Sequence, residues 1–190
     1  MKPSSSTLST FGKPRLVLVT GIMASGKSTV AQRLAERLPR CVHLRGDVFR
    51  RMIVSGRAEM GFELSEEALA QLRLRYRIAA QVARMYLEAG FSVVYQDIVI
   101  GSGLAEVMAL LPRGRLHVVV LCPSAEAVAA REAGRAKSGY ADSAAVLRFD
   151  RVLRADTPRA GLWVDSSALT VEETVDLILG RLDEAAIAPA

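Results

Sequence analysis

The stretch from Gly21 to Thr29, which reads Gly-Ile-Met-Ala-Ser-Gly-Lys-Ser-Thr, constrains the fold of this chain more than any other. It fits the pattern G-x-x-x-x-G-K-[ST], in which a glycine-rich turn connects a buried strand to a helix. The apolar run Leu16–Thr20 supplies the strand before the turn, and residues 27–38 have the apolar spacing of a helix after it. The chain therefore opens with a strand–turn–helix unit whose backbone N–H groups can converge on an anion.

Short apolar strands alternate with longer helical segments along the rest of the chain. Five strands alternating with helices predict an α/β fold of three layers, α/β/α, on a five-stranded parallel sheet, which is the P-loop NTPase fold. Residues 1–13 are predicted to be a disordered tail, and residues 14–190 a single domain with a small helical lid at about 131–145. The predicted strands are 16–20, 41–44, 91–96, 116–121 and 162–164, and the predicted helices are 27–38, 47–55, 65–89, 104–111, 125–136, 143–155 and one from Thr170 onwards.

Composition and charge disfavour several classes of protein. The 190 residues contain no uninterrupted apolar run of about 18, so a membrane span is not expected. Cys41 and Cys122 lie far apart in sequence, which disfavours a disulfide scaffold and a zinc site and predicts a cytoplasmic protein. The formal net charge of +5 comes from basic residues spread along the chain, so nucleic acid is an alternative but less favoured partner.

The glycine-rich turn has the residue types that hold a triphosphate. Glycines at positions 21 and 26 let the backbone turn tightly and bring its N–H groups close to phosphate oxygens. The ammonium group of Lys27 can reach the β- and γ-phosphates, and the hydroxyl of Ser28 can ligate Mg²⁺. The turn predicts a nucleoside triphosphate, taken as ATP, with Mg²⁺ as cofactor; the predicted binding residues are Gly21, Ala24, Ser25, Gly26, Lys27, Ser28 and Thr29.

A carboxylate follows the second predicted strand in the segment Arg45-Gly46-Asp47-Val48-Phe49-Arg50. Loops at the carboxyl ends of parallel strands line the ligand crevice, so Asp47 is expected to face the γ-phosphate from the acceptor side. A carboxylate there can accept the proton of an attacking hydroxyl, and Arg50, one helical turn further on, can hold a polar or anionic part of the acceptor. A structural alternative is that Asp47 caps its helix and Arg50 is solvated.

Two further segments bring polar residues to the same crevice. Asp97 ends the third predicted strand, where it can contact the substrate and reach Mg²⁺ directly or through water; a strand-end Asp can also cap a turn. Arg131 and Arg135 share one helix face in the predicted lid and can neutralise charge that develops during phosphoryl transfer. The alternative for this pair is a solvated basic helix end.

These motifs resemble those of P-loop kinases with the nucleoside-monophosphate-kinase type of fold, and the resemblance covers residues 16–182. Within that group the chain resembles the chloramphenicol phosphotransferase-like and polynucleotide-kinase-like families of AAA-type ATPases. Asp47 lies where the former keeps its catalytic Asp, and Asp97-Ile98-Val99-Ile100-Gly101 is similar to one of its segments. Asp47 and Arg50 also match the Asp-x-x-Arg of 5′-hydroxyl polynucleotide kinases, which implies a general base and an arginine that binds a substrate phosphate.

The resemblance implies a kinase but leaves its acceptor open. The favoured function is Mg²⁺-dependent transfer of the γ-phosphate of ATP to a hydroxyl of a small molecule, with Asp47 as base. The alternatives are a 5′-hydroxyl polynucleotide kinase that uses Arg50 and a nucleotide-dependent regulatory switch or toxin-like protein. Residues 22–24 depart from the Gly-Ser-Ser type of loop in chloramphenicol phosphotransferase, so specificity for that drug is not implied. The expected acceptor region contains Arg50, Arg51, Arg57, Arg73, Tyr76 and Arg77, of which Arg73 and Arg77 are favoured as a solvated face.

Overall fold

A parallel sheet of five strands forms the centre of the chain, whose computed structural model describes residues 13–134 and 143–188. The spatial order of the strands is β2-β3-β1-β4-β5, and every pairing between neighbours is parallel. This confirms the predicted fold class. The strands are β1 (Leu16–Thr20), β2 (Cys41–Arg45), β3 (Ser92–Gln96), β4 (Leu116–Leu121) and β5 (Leu162–Val164).

Helices cover both faces of the sheet and complete the three predicted layers. The predicted tail and lid fall largely outside the described residues, and Arg135 lies outside them entirely. None of the described helices is long and apolar enough to cross a bilayer. The helices are α1 (Lys27–Arg37), α2 (Asp47–Arg51), α3 (Glu66–Glu88), α4 (Gly103–Leu110), α5 (Ala125–Ala133), α6 (Ser143–Arg151) and α7 (Val171–Gly180), with a π-helical turn at Val152–Asp156 after α6.

Burial on both faces explains why the strands are continuous apolar runs. Leu16 and Leu18 on β1 pack on one face with residues of α3 and α4, whereas Val17 and Val19 pack on the other face with residues of α1 and α7. All four side chains are fully buried. Each gains about 1.5–3 kcal/mol by leaving water, so the central strand gives the glycine-rich turn a rigid base.

The strand order places a crevice at the carboxyl ends of the central strands. Strand β1 lies between β3 and β4, and the connections that follow β1 and β3 lead to opposite sides of the sheet. Loops diverge at such a switch in strand order and leave room for a ligand. The loops after β1, β2 and β3 carry the predicted phosphate-binding residues, Asp47 and Asp97, whereas Arg131 lies on α5.

The helix starts confirm two predictions and correct one. Helix α3 starts where predicted, with Ser65 as the cap that accepts a hydrogen bond from the Ala68 N–H at 3.2 Å, and α7 starts at the predicted Thr170, which forms a capping box with Glu173. The structural alternative that Asp47 caps α2 is wrong, because Gly46 occupies the cap position and Asp47 is the first helical residue. Helix α2 also ends at Arg51 rather than at residue 55, since Val54 is 97% exposed and has no core to pack against.

Candidate active site

A cleft of about 610 Å³ lies at the carboxyl edge of the sheet. It is lined by the glycine-rich turn, by the turn after β2, by the end of β3, and by residues of α3, α5 and the β5–α7 connection. The structure therefore brings together the predicted phosphate-binding turn, Asp47, Asp97 and Arg131. These residues come from four separate segments of the sequence.

The glycine-rich turn adopts a conformation that its glycines permit. Gly21 has φ +146°, and a Cβ there would lie 2.4 Å from the Leu121 carbonyl oxygen, so a larger residue does not fit. Gly26 has φ +93° and occupies the cap position of α1. No side chain of the described residues caps α1, so the N–H groups of its first turn and the positive end of its dipole face the cleft.

The side chains of the turn fit a phosphate chain and a magnesium ion. Lys27 is buried, and its Nζ donates a hydrogen bond to the Ile22 carbonyl at 2.5 Å across the turn. Ser25 Oγ is buried without a hydrogen-bond partner in the part of the chain that the structure describes, which is unusual for a buried hydroxyl. Ser28 and Thr29 are exposed and line the cleft. The orphaned Ser25 hydroxyl and the uncapped helix suit phosphate oxygens, and an accessible Ser28 hydroxyl suits Mg²⁺.

Arg131 reaches the turn from α5. Its Nη2 donates to the Ser166 carbonyl at 2.6 Å, and its Nη1 donates to the Ser25 carbonyl at 3.4 Å. The guanidinium therefore lies beside the phosphate-binding turn, between it and the loop after β5. Ser166 Oγ, like Ser25 Oγ, is buried without a partner among residues 13–134 and 143–188.

Asp47 lines the cleft from the turn after β2. Its side chain is 39% exposed, and its Oδ2 accepts a hydrogen bond from Arg51, one helical turn further on. Arg45 Nε lies 3.7 Å from Oδ1 of the same carboxylate. Two guanidinium groups thus restrain a proton-accepting carboxylate that solvent and an acceptor can reach.

Asp97 is buried at the end of β3 and is surrounded by donors. Its Oδ1 lies 3.0 Å from Arg75 Nη2 and accepts the Ile98 N–H at 2.8 Å, while its Oδ2 accepts the Tyr95 hydroxyl at 3.1 Å. Burial raises the pKa of the Asp97 carboxyl above its ordinary value, and the Arg75 guanidinium and the Ile98 N–H oppose that shift. Burial likewise raises the pKa of Tyr95, with the neighbouring Asp97 charge acting in the same direction.

Arg75 is a charged residue of the cleft lining that sequence reasoning missed. Its side chain, on α3, is only 12% exposed and borders the cleft beside Asp97. The sequence did hold a signal for it. Leu72 and Ala79 belong to the apolar stripe of α3. Arg75 follows Leu72 by three residues and precedes Ala79 by four, so it lies on the same face of the helix. An arginine on the inner face of a helix requires a buried partner, and Asp97 is that partner.

Arg50, the predicted acceptor-binding arginine, lies outside the cleft lining. Its Nη2 donates to the Ala58 carbonyl at 2.8 Å and lies 3.9 Å from a Glu59 carboxylate oxygen, so Arg50 holds this loop against α2. Arg73 and Arg77 are exposed, as the favoured solvated-face interpretation requires, and Arg73 pairs with Glu106 at 3.3 Å.

Comparison with solved structures shows the fold of P-loop kinases. A sugar kinase from Janibacter sp. HTCC2649 has 22% identity and a TM-score of 0.70, with 90% of this chain and 96% of that chain covered. A gluconokinase from Sinorhizobium meliloti 1021 has 22% identity and a TM-score of 0.65, with 92% and 94% covered. The APS kinase CysC of Mycobacterium tuberculosis, in complex with AMPPNP and APS, has 18% identity and a TM-score of 0.65, with 90% and 98% covered.

Sequence comparison gives the family. Among curated proteins, none matches this chain. A family model described as an AAA domain, AAA_33, matches residues 16–168, which include the glycine-rich turn, all five strands and every segment that lines the cleft up to Ser166. Because that match spans the sheet and most of the site, the chain belongs to the AAA_33 family of AAA domains and has the P-loop kinase fold.

Proposed function

We propose that the protein is an ATP-dependent kinase that transfers the γ-phosphate of ATP to a hydroxyl group of a small molecule. One observation carries the proposal: the glycine-rich turn of residues 21–29, which forms the phosphate cradle, and the carboxylate of Asp47 line the same cleft. A cradle alone would suit any nucleotide-binding protein. A proton acceptor beside it is what transfer to a hydroxyl requires.

The donor binds through its phosphates at the cradle. The N–H groups of the turn and of the first turn of α1 hold the phosphate oxygens, and the Lys27 ammonium exchanges the Ile22 carbonyl for the β- and γ-phosphates. Arg131, which lies beside the same turn, stabilises charge that develops on the transferring group. Mg²⁺, when bound, neutralises the phosphates; Ser28 would hold it through its hydroxyl, with Asp97 reaching it through water.

Asp47 acts on the acceptor. Its carboxylate takes the proton of the acceptor hydroxyl while the hydroxyl oxygen bonds to the γ-phosphorus. The bond between that phosphorus and the β–γ bridging oxygen breaks, and ADP leaves. Arg45 and Arg51 keep the carboxylate in place during this step. Because phosphoryl transfer leaves little covalent chemistry to the protein, placement of these groups supplies most of the acceleration.

A small acceptor is favoured over a polynucleotide. Three similar structures, a sugar kinase, a gluconokinase and an APS kinase, take small substrates by their names and have TM-scores of 0.65 or more, whereas the Pnkp1/Rnl/Hen1 RNA repair complex matches with a TM-score of 0.59. Arg50, which would hold a substrate phosphate in a polynucleotide kinase, donates to the Ala58 carbonyl instead. The AMPPNP in the APS kinase complex supports an adenosine nucleotide as donor.

Substitution of Asp47 by Asn tests the proposal. Labelled ATP is first screened against sugars, sugar acids, nucleosides, hydroxylated antibiotics and 5′-hydroxyl oligonucleotides to find the acceptor. We expect Asp47→Asn to lower kcat about 10²- to 10⁴-fold, because the base is lost. The affinity for a fluorescent ATP analogue should not change, since the cradle is intact.

Three results would contradict the proposal. Undiminished transfer by Asp47→Asn would show that Asp47 is not the base. Transfer to oligonucleotides alone, falling steeply with added salt, would favour the polynucleotide kinase. Absence of transfer to every compound, together with ATP-dependent association in gel filtration, would favour the regulatory switch.

A further inference from the structure

The buried ion pair of Arg75 and Asp97 lies directly beside the turn that carries Asp47. The phosphate transfer described above does not use Arg75, although a buried arginine at the edge of a cleft requires an explanation. Its partner Asp97 touches the residue that immediately precedes Asp47. The pair therefore connects α3 and the end of β3 to the proposed base.

The contact between Gly46 and Asp97 is unusually close. A Cβ on Gly46 would lie 2.0 Å from Asp97 Oδ2 and 2.6 Å from its Cγ, so the backbone of the turn rests against the carboxylate. The Gly46 N–H also donates to the Gln96 carbonyl at 3.0 Å. Because Gly46 has an ordinary helical φ of −63°, a close approach rather than a special backbone angle explains this glycine. The position of Asp97 thus determines where the turn, and with it Asp47, can lie.

Arg75 in turn fixes Asp97. Among the described residues, the Asp97 carboxylate has donors on two elements: Tyr95 and the Ile98 N–H at β3, and Arg75 on α3. Of these three donors, Arg75 alone is charged. Without Arg75, the smaller effect of the Lys27 charge is left to oppose the cost of burying this carboxylate, which therefore turns toward the solvent-accessible cleft that it lines. Such a movement would take away the surface against which Gly46 rests.

We propose that Arg75 is a positioning residue that sets the place of Asp47 through the chain Arg75–Asp97–Gly46. The inference rests on the proposed function in so far as Asp47 is the base, but the placement of the turn can be measured without any acceptor. In this arrangement Arg75, although it borders the cleft, acts through Asp97 and Gly46. Its removal therefore lowers kcat while leaving the affinity for nucleotide measured without Mg²⁺ unchanged, because Asp97, which would reach Mg²⁺ through water, is the residue that moves.

A double-mutant cycle tests whether Arg75 acts through Asp97. We expect Arg75→Met to lower kcat on the order of 100-fold, the loss that follows a misplacement of about 1 Å. The same substitution in an Asp97→Asn background should cause little further loss, and Arg75→Lys should restore much of the activity. Arg77→Met, on the exposed face of α3, is the matched control. Losses that multiply in the double variant would show that Arg75 contacts the acceptor directly and would overturn the proposal.

Hydrogen–deuterium exchange tests the placement of the turn without an acceptor. We expect Arg75→Met to speed exchange in peptides that cover residues 45–51, where the Gly46 N–H loses its protection, and to leave residues 21–30 unchanged. Unchanged exchange at 45–51 overturns the inference whether or not Asp47 is the base. Faster exchange there, combined with full transfer by Asp47→Asn, would show that Asp47 is not the base, and would still support the role of Arg75 in placing the turn. If Arg75→Met does not fold, Tyr95→Phe, which removes another donor to Asp97, replaces it with the same expected shift.

Discussion

The two halves of the cleft, the proposed donor half and the proposed acceptor half, are built in different ways. The donor half consists of consecutive residues, 21–29, whose placement follows from two glycines at positive φ and the start of a helix. The acceptor half is assembled from three separate segments: the turn at Gly46 and Asp47, Arg75 on α3, and Asp97 after β3. A local motif can specify the first half alone, whereas the second exists only after the sheet and α3 have packed.

The two halves also differ in how they compensate charge. In the donor half, Lys27 and Arg131 donate to backbone carbonyl oxygens, and the Lys27 charge also helps to lower the pKa of the Asp97 carboxyl. In the acceptor half, Arg75 lies beside the Asp97 carboxylate, and Asp47 accepts a hydrogen bond from its own arginine partner. Hydrogen bonds from a cation to neutral carbonyl oxygens are weaker than those to a carboxylate, so the donor half holds its cations less tightly than the acceptor half does. Substitutions in the two halves should therefore separate nucleotide binding from phosphate transfer.

Lys27→Met should cause the largest loss, because it removes the charge that receives the β- and γ-phosphates. We expect phosphate transfer to fall on the order of 10²- to 10³-fold. Calorimetric affinity for Mg-ATP should fall as well. Arg33→Met, on an exposed part of the same helix, is the control and should alter neither quantity. If Lys27→Met retains wild-type Mg-ATP affinity, the donor half does not work as described.

Gly46→Ala should damage the acceptor half alone. Its new methyl group would lie 2.0 Å from Asp97 Oδ2, so either the turn or the carboxylate must move. We expect kcat to fall on the order of 100-fold and the free energy of unfolding to fall by about 1–3 kcal/mol. Affinity for an ATP analogue should be preserved. The matched control is Gly114→Ala, because a Cβ at Gly114 meets nothing within 4 Å. A loss of nucleotide affinity as large as the loss of kcat would show that the donor half and the acceptor half do not act independently.

Arg50→Met should affect stability more than catalysis. The Arg50 side chain is 24% exposed and donates to the Ala58 carbonyl. Loss of this hydrogen bond should lower the free energy of unfolding in urea by about 1–2 kcal/mol, with kcat for a small acceptor nearly unchanged. Arg57→Met, at an exposed position, is the control. A large loss of transfer at unaltered stability would instead assign Arg50 to acceptor binding and sharpen the boundary of the acceptor half.

The smallest effect concerns the two histidines of the chain. Burial lowers the pKa of His43 on β2 and of His117 on β4 below the ordinary value of 6.5. A group whose pKa falls on folding contributes stability above its unfolded pKa and loses that contribution as the pH falls toward its folded pKa. We therefore expect Tm to decrease as the pH drops below 6.5, and to decrease less in a His43→Gln/His117→Gln variant. A Tm that rises on acidification would contradict this expectation.

The contrast between the halves also explains what the sequence could predict. The motif predicted the donor residues, and strand-end placement predicted that Asp47 and Asp97 would line the same crevice. Sequence reasoning missed Arg75, because a charged residue is expected to face solvent and its partner Asp97 is adjacent only in the folded chain. It also assigned the cap of α2 to Asp47. The cap position belongs to Gly46 instead, and the reason for that glycine is a carboxylate on another strand.

The double contact of Arg131 has a consequence for binding kinetics and entropy. One guanidinium joins the carbonyls of Ser25 and Ser166, so the loops that follow β1 and β5 keep a fixed separation in the folded protein. A preorganised pocket loses little conformational freedom when its ligand arrives. Donor affinity should therefore report the contacts themselves, with little contribution from loop ordering, and capture of the nucleotide should proceed as a single rapid step.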